Sequence, residues 1–244
     1  MNIQTEQSIQ PRTTVQLLAA SAAIAPMAAL STWMYIIRDS TPGLSEFFLG
    51  PLLFGGGMIF WLLFLHVVVC RDKLQSLGFK IDGFWKDVAI GIALGAVFLL
   101  LRTVEQPLLN SLFERRPPSE EIMQLIYGVS SNLWLLALWL GPVVWIGIAG
   151  FEELWRVFVL RRFWNIFSGT AQKWVVLLLV SGLIGAVHGY QGPSAILSIG
   201  FKAVLMGWFF MATGRTRALI VSHVVYDSVQ IVMAVVAIRA AFHP

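Results

Sequence analysis

Six polar side chains lie where an apolar chain has reason to keep none: Glu152, Glu153, Arg156, His188, His223 and Asp227. All fall within residues 152–227, inside or at the ends of apolar runs. On the insertion scale a bilayer charges about 2.5–3.5 kcal/mol for each ion at its centre, so such groups persist when they are paired, wetted or used. On a helix Glu152 and Arg156 are i,i+4 and Glu153 and Arg156 are i,i+3, so the guanidinium can reach either carboxylate. An arginine there holds one carboxylate ionised, while two adjacent like charges resist ionising together, which suits the other to general acid or base work. His223 and Asp227 are also i,i+4. The carboxylate can fix the imidazole's tautomer, or the pair can present donors to a developing oxyanion. His188 opens the turn His188-Gly-Tyr-Gln-Gly-Pro193, which places its ring at the mouth of a helix end.

The elements that must position these groups are membrane helices. The 244 residues are 57% hydrophobic and 12% charged, with a mean hydropathy of +0.76; a soluble domain carries about twice that share of charge. Seven apolar segments run over about 15–37, 47–70, 88–101, 133–151, 174–188, 196–212 and 218–240. They approach or exceed the roughly 20 residues that cross a bilayer as a helix. The fold class is therefore all-α, a polytopic transmembrane helical bundle of about seven spans. The third segment is short unless Phe84, Trp85, Thr103 and Val104 extend it, and the fourth has no breaker before Ser168-Gly169, so its helix is expected to continue through Arg162. Arg12 and the small residues after it would also suit a signal peptide, but the length of the run and Pro26 favour a retained span.

Charge sets the expected orientation. With the N-terminus inside, Arg12, Arg71, Lys73, Lys80, Lys86, Arg161, Arg162, Lys173, Arg215 and Arg217 are cytoplasmic, against Arg38, Arg102, Arg115, Arg116 and Arg239 outside, ten to five. Scattered over short loops, the net charge of +4 makes no basic stripe interleaved with aromatics, so no nucleic-acid partner is expected. The longest stretch between segments, about 102–132, contains Pro117-Pro118 and then Ser119-Glu120-Glu121, a helix start with acids in its first turn; it reads as an interfacial helix, a lid or, more simply, a solvated connector. Gly91 and Gly95 permit close helix packing. His66 reads as a satisfied packing or interface histidine, His243 as solvent, and Cys70, without a partner in the chain, as a residue at lipid depth.

The chemistry stays open at one point. The chain has no His-Glu-x-x-His, which excludes that zinc-protease motif. Two histidines and a glutamate from separate helices could still assemble a zinc site. They could equally activate water without metal.

The residues resemble the motifs of the CPBP family, the CAAX-protease and bacteriocin-processing (Abi) intramembrane endopeptidases. That family is marked by a Glu-Glu-x-x-x-Arg helix, a Phe-x-x-x-His helix and a His-x-x-x-Asn/Asp helix. In this chain the counterparts are Glu152-Glu-Leu-Trp-Arg156, Ile184-Gly-Ala-Val-His188 and His223-Val-Val-Tyr-Asp227, in the family's order. Ile184 replaces the phenylalanine, and the first motif is one residue shorter, so either Glu152 or Glu153 can stand as the base. The resemblance covers roughly residues 130–240 and divides the chain into N-terminal spans with a connecting loop, 1–129, and a catalytic core, 130–244. It implies that a glutamate and His188 activate water for attack on a peptide carbonyl. By the same resemblance, His223 and Asp227 stabilise the oxyanion and Arg156 holds the carboxylates. The implied partners are a peptide or protein substrate in the membrane, lipid-modified or not, and the bilayer itself. The family is described both with zinc and without metal. The expected setting is a prokaryotic inner membrane with the N-terminus cytoplasmic. A catalytically inactive scaffold or immunity factor and a proton-coupled transporter are the alternatives, though the chain shows no inverted repeat.

Overall fold

A computed structural model of the chain describes residues 9–37, 40–79, 83–113 and 119–242. Arg38, Lys80, Arg115, Arg116, Pro117, Pro118 and His243 lie outside them. Among the described residues the chain is all-α and has no strand. Its helices are α1 (Ile9–Ile36), α2 (Leu44–Phe64), α3 (Phe84–Leu112), α4 (Glu120–Ser131), α5 (Leu133–Leu138), α6 (Phe151–Trp164), α7 (Thr170–Val187), α8 (Pro193–Thr213) and α9 (Thr216–Phe242). Wider π turns follow α2 at Leu65–Val69 and join α5 to α6 at Trp139–Gly150, while 3-10 turns occupy Leu74–Leu77 and Gly189–Gln191. Among the described residues seven stretches are long and apolar enough to cross a membrane: Arg12–Ile36, Leu44–Val69, Phe84–Leu112, Leu133–Trp164, Thr170–Val187, Pro193–Thr213 and Thr216–Ala241.

Two expectations change. The third span does not stop near Leu101 but runs 29 residues, because Arg102, Glu105 and Gln106 are good helix formers, and the helix continues through Pro107 to Leu112. The presumed connector is correspondingly shorter and contains α4. That helix starts where Ser119 caps it, its hydroxyl accepting from the Ile122 N–H at 3.3 Å, with Glu120 and Glu121 in the first turn. As expected, the fourth helix runs past Arg162, to Trp164.

The chain divides into two compact units. The first comprises Met1–Arg38, Ile59–Lys80 and Leu154–Thr216; the second comprises Asp39–Met58, Ile81–Glu153 and Arg217–Pro244.

In the first unit, α7 and α8 form a close antiparallel pair. Gly185 permits it: a Cβ there would sit 2.5 Å from the Ile196 carbonyl oxygen and 3.2 Å from the Gly200 Cα. Pro26, inside α1, has no N–H to bond the carbonyl of Ala22. Trp61 supplies the missing donor, its Nε1–H reaching Ala22 O at 3.0 Å. Trp155 donates to the next carbonyl, Ala23 O, at 2.8 Å, and Ala19, Ala20 and Ala23 are buried beside it. His66 is fully buried, with Nε2 near Lys73 O (3.1 Å) and Ser76 Oγ (3.0 Å), and Nδ1 accepting from Arg162 Nη2 at 3.1 Å. Arg162 also pairs with Asp72 at 2.7 Å. His66 is thus the satisfied packing histidine anticipated, and Cys70, only half-buried, ends the same helix.

In the second unit, α3 packs on α9 through its two glycines. A Cβ on Gly91 would fall 2.6 Å from Val221 Cβ, and one on Gly95 would fall 2.9 Å from Val225 Cβ. Gly55 and Gly147 do the same for α2 and the π segment, with a Cβ on Gly55 reaching 2.7 Å from the Gly147 Cα. Arg217 Nε donates to the buried Asp87 at 3.0 Å, and Arg239 holds the Ser130 carbonyl at the end of α4.

Candidate active site

The approach to Glu152 and Glu153 is built by a break. Gly141 takes a non-helical conformation (φ −88°, ψ −108°) and Pro142, next to it, has no N–H. From there to Gly150 the chain is wound in wide π turns, a form that recurs at functional sites. Val144 and Ala149 of this segment pack with Val224 of α9, and Trp139, Ile220 and Ile231 complete the cluster. Ile220, Val224 and Ile231 form one stripe of α9 and Ala218, Val221 and Val225 a second, against α3. His223 and Asp227, i and i+4, fall on a third stripe beside the first. Apolar packing on two sides of α9 thus orients the polar pair.

Glu153, in the first turn of α6, is sealed, with its side chain 0% exposed. It accepts a hydrogen bond from His223 Nδ1 at 2.8 Å. The other ring nitrogen, Nε2, lies 3.4 Å from Asp227 Oδ2 and 3.9 Å from Glu152 Oε2. These two carboxylates and the imidazole keep some accessibility, at 22%, 18% and 16%. The site therefore has a closed end at Glu153 and an approachable end at Glu152 and Asp227.

Proton counting states what such a group can do. A neutral imidazole has one N–H and one lone pair. With Nδ1–H given to Glu153, Nε2 faces the carboxylates of Asp227 and Glu152. A carboxylate and an imidazole can each take up or release a proton, and one such carboxylate is accessible at the rim, the equipment of general acid–base chemistry.

The same arrangement bears on zinc. Both imidazole nitrogens are addressed by carboxylates, so ring and acids bind one another rather than converge on a common point. Among the described residues no three His, Cys, Asp or Glu side chains are disposed to hold a metal ion. These donors do not fit a zinc site of the second unit.

Arg156 and His188, the other two residues singled out from the sequence, belong to the first unit. Arg156 is buried and its Nη1 donates to Met206 Sδ at 3.3 Å. His188 ends α7 and donates from Nδ1 to Ile184 O at 2.8 Å, which leaves Nε2 as its basic nitrogen; its ring stacks on Tyr190 at a centroid distance of 6.3 Å. Four of the six predicted residues are thus brought together around His223. Sequence reasoning passed over Lys202, buried within α8, although a lone lysine in the apolar run 196–212 was a legible signal. Met206 as an acceptor for Arg156 had no sequence signal at all.

No curated protein and no solved structure matches the chain. A family model does, over residues 132–229, a stretch that contains all six residues. Its description is Type II CAAX prenyl endopeptidase Rce1-like. With seven long apolar helices among its described residues the protein is an integral membrane protein, and its residues 132–229 are similar to the Rce1-like CAAX protease family.

Proposed function

We propose that the protein is an intramembrane endopeptidase that hydrolyses peptide bonds of membrane-associated, lipid-modified substrates. The observation that carries this reading is the bracketing of His223, by the sealed Glu153 on one nitrogen and by the accessible Glu152 and Asp227 on the other.

Glu152 is the general base. Its exposure lets it meet water, whereas Glu153 is closed off and committed to the ring. Glu152 takes a proton from water as the oxygen attacks the scissile carbonyl carbon. His223 Nε2–H donates to the oxyanion that forms, and Asp227 holds the ring at that angle. Glu153 stabilises the imidazolium and fixes its orientation. On collapse of the tetrahedral intermediate the C–N bond breaks and Glu152 returns its proton to the departing amine. Lipid depth suits the substrate, since a lipid-modified peptide partitions sideways into the plane where these groups lie. The excess of basic loops supports an N-terminus on the cytoplasmic face.

The test is cleavage of quenched fluorescent peptides, prenylated and plain, by the full-length protein in nanodiscs. Glu152→Gln and His223→Ala are expected to abolish turnover while the protein stays folded, and Arg156→Gln and His188→Ala test separately the roles that the family resemblance implies for those residues. Turnover equal to wild type in Glu152→Gln would sink the assignment of the base. No turnover of any peptide by wild type would sink the endopeptidase reading.

A further inference from the structure

Arg161 and Arg162 lie in the last turn of α6, beside Trp164, where the fourth membrane-length stretch ends. Both guanidiniums rest on aromatic rings, Arg161 over Phe210 at 5.6 Å and Arg162 over Phe158 at 4.9 Å. Their negative partners do not match their charge. Asp72 is the one carboxylate among the described residues of the first unit, and it pairs at 2.7 Å with Arg162 Nη2, which also meets His66 Nδ1. The nearby charges that act on Arg161 are Arg162 and that same Asp72. Two guanidiniums therefore share a single carboxylate. Three of their nitrogens, Arg161 Nε and Arg162 Nε and Nη1, are buried with no hydrogen-bond partner in the protein. The neutral Cys70 thiol beside Arg162 is a weak acceptor and brings no charge. Further cations stand around this end of the unit. Arg71 and Lys73 flank Asp72 in the chain, and the Lys173 carbonyl accepts from Trp164 Nε1 at 3.1 Å. Setting the orientation of a membrane chain needs basic loops, but it does not need guanidinium N–H groups sealed away from water.

We propose that Arg161, with Arg162 behind it, forms a binding site for an anionic phosphate group. A phosphate brings the negative charge that Asp72 alone does not supply and several acceptor oxygens, which the forked guanidinium N–H groups match in pairs. Arg162 is fully buried and Arg161 half-buried, so Arg161 is the group that meets the ligand and Arg162 the charge that supports it. Depth points to the source. Trp164 stacks on Phe210 at 6.1 Å and 9°, and tryptophan is the ring type enriched at headgroup level. At that level the phosphodiester of an anionic phospholipid lies within reach, and basic pockets between membrane helices take lipid headgroups by this chemistry. A free phosphate arriving from water is the other source. The site uses none of the residues of the candidate active site and stands without the endopeptidase reading.

The test titrates the full-length protein in neutral detergent with phosphatidylglycerol, with phosphatidylcholine or with sodium phosphate at constant ionic strength. Bound lipid is counted by native mass spectrometry, and the melting temperature is read in every arm. Wild type is expected to bind phosphatidylglycerol saturably and to melt higher with it, and to do neither with the zwitterionic phosphatidylcholine. Arg161→Gln is expected to weaken that binding roughly tenfold, the worth of one charge-assisted hydrogen bond, and Arg161→Lys to keep part of it. Lys86→Gln removes an exposed cation of the second unit and is expected to change nothing. A shift with sodium phosphate alone, lost in Arg161→Gln, upholds the site and assigns it to free phosphate. No response of wild type to either anion overturns the proposal without any variant, as does an equal response to phosphatidylcholine. Binding that survives in Arg161→Gln also overturns it. So does an equal loss in Lys86→Gln, which would reduce the effect to general attraction between basic surfaces and anionic lipid.

Discussion

In the second unit three carboxylates crowd one imidazole; in the first, Arg156, Arg161, Arg162 and Lys202 are among the cations of a unit whose described residues include one carboxylate, Asp72. Both units carry charge in apolar surroundings, and they settle it differently. The acidic unit shares protons, because carboxylates and imidazole can each take one up. Arginine cannot release its proton, and the cations of the basic unit also meet soft and neutral acceptors. Arg162 lies over the Phe158 ring at 4.9 Å and Arg161 over the Phe210 ring at 5.6 Å, Arg156 donates to a sulfur, and Lys202 to a hydroxyl. Desolvated contacts of a cation with an aromatic face are worth about 2 kcal/mol. The difference teaches where to look for acid–base chemistry: in the unit whose charged groups can exchange protons.

The largest expected effect breaks the acidic side. Glu152→Gln removes the accessible acid–base group and lowers kcat by roughly 10²–10⁴, measured on the prenylated peptide. Asp72→Asn breaks the basic side and leaves the Arg162 guanidinium buried without its carboxylate. It is expected to destabilise the protein by about 3 kcal/mol, read as a lowered melting temperature, with partial recovery when Arg162→Leu is added. A loss no larger than that of an exposed pair would show that the aromatic face alone satisfies the cation. Next comes the packing that holds the acidic cluster. Gly91→Val places methyl groups into Val221 and costs about 1–3 kcal/mol. Gly182→Ala, where nothing lies within 4 Å, is expected to be neutral or to stabilise by up to about 1 kcal/mol.

The smallest effect lies outside the membrane spans. The Glu121 carboxyl is held below its ordinary value of 4.5 by its own backbone N–H and by the Ser119 hydroxyl. A carboxyl so lowered contributes stability above its ordinary value, and that contribution disappears as pH falls through the lowered one. Hydrogen-exchange protection in the first turn of α4, taken relative to the intrinsic exchange rate at each pH, should therefore fall as pH drops below the ordinary carboxyl value. Ser119→Ala should move that loss to higher pH and weaken the cap by about 1 kcal/mol. Protection unchanged by pH would detach Glu121 from the start of the helix.

Much of the fold was legible. Runs of about 20 apolar residues have one answer in a bilayer, since a helix alone satisfies its own backbone there, and Gly91 and Gly95 announced the packing of α3. The end of the third span was less legible, because Arg102 and Glu105 look like a loop by charge and yet favour a helix by propensity. The candidate site was legible as a set of residue types. Its order was not: nothing in the spacing separates the sealed Glu153 from the accessible Glu152, for adjacent residues on a helix differ by about 100° and only the neighbours decide which side closes.

From the sequence alone came the membrane helices, the polar groups they must carry at depth and the likeness to a protease family. All of these depend on composition and spacing along one chain. The tertiary structure decided which carboxylate meets which imidazole nitrogen, which acid stays accessible, and that Lys202 sits on one stripe with the partner of Arg156. Hydrogen bonds act over about 3 Å, and whether two side chains 70 residues apart come within that reach depends on how their helices pack.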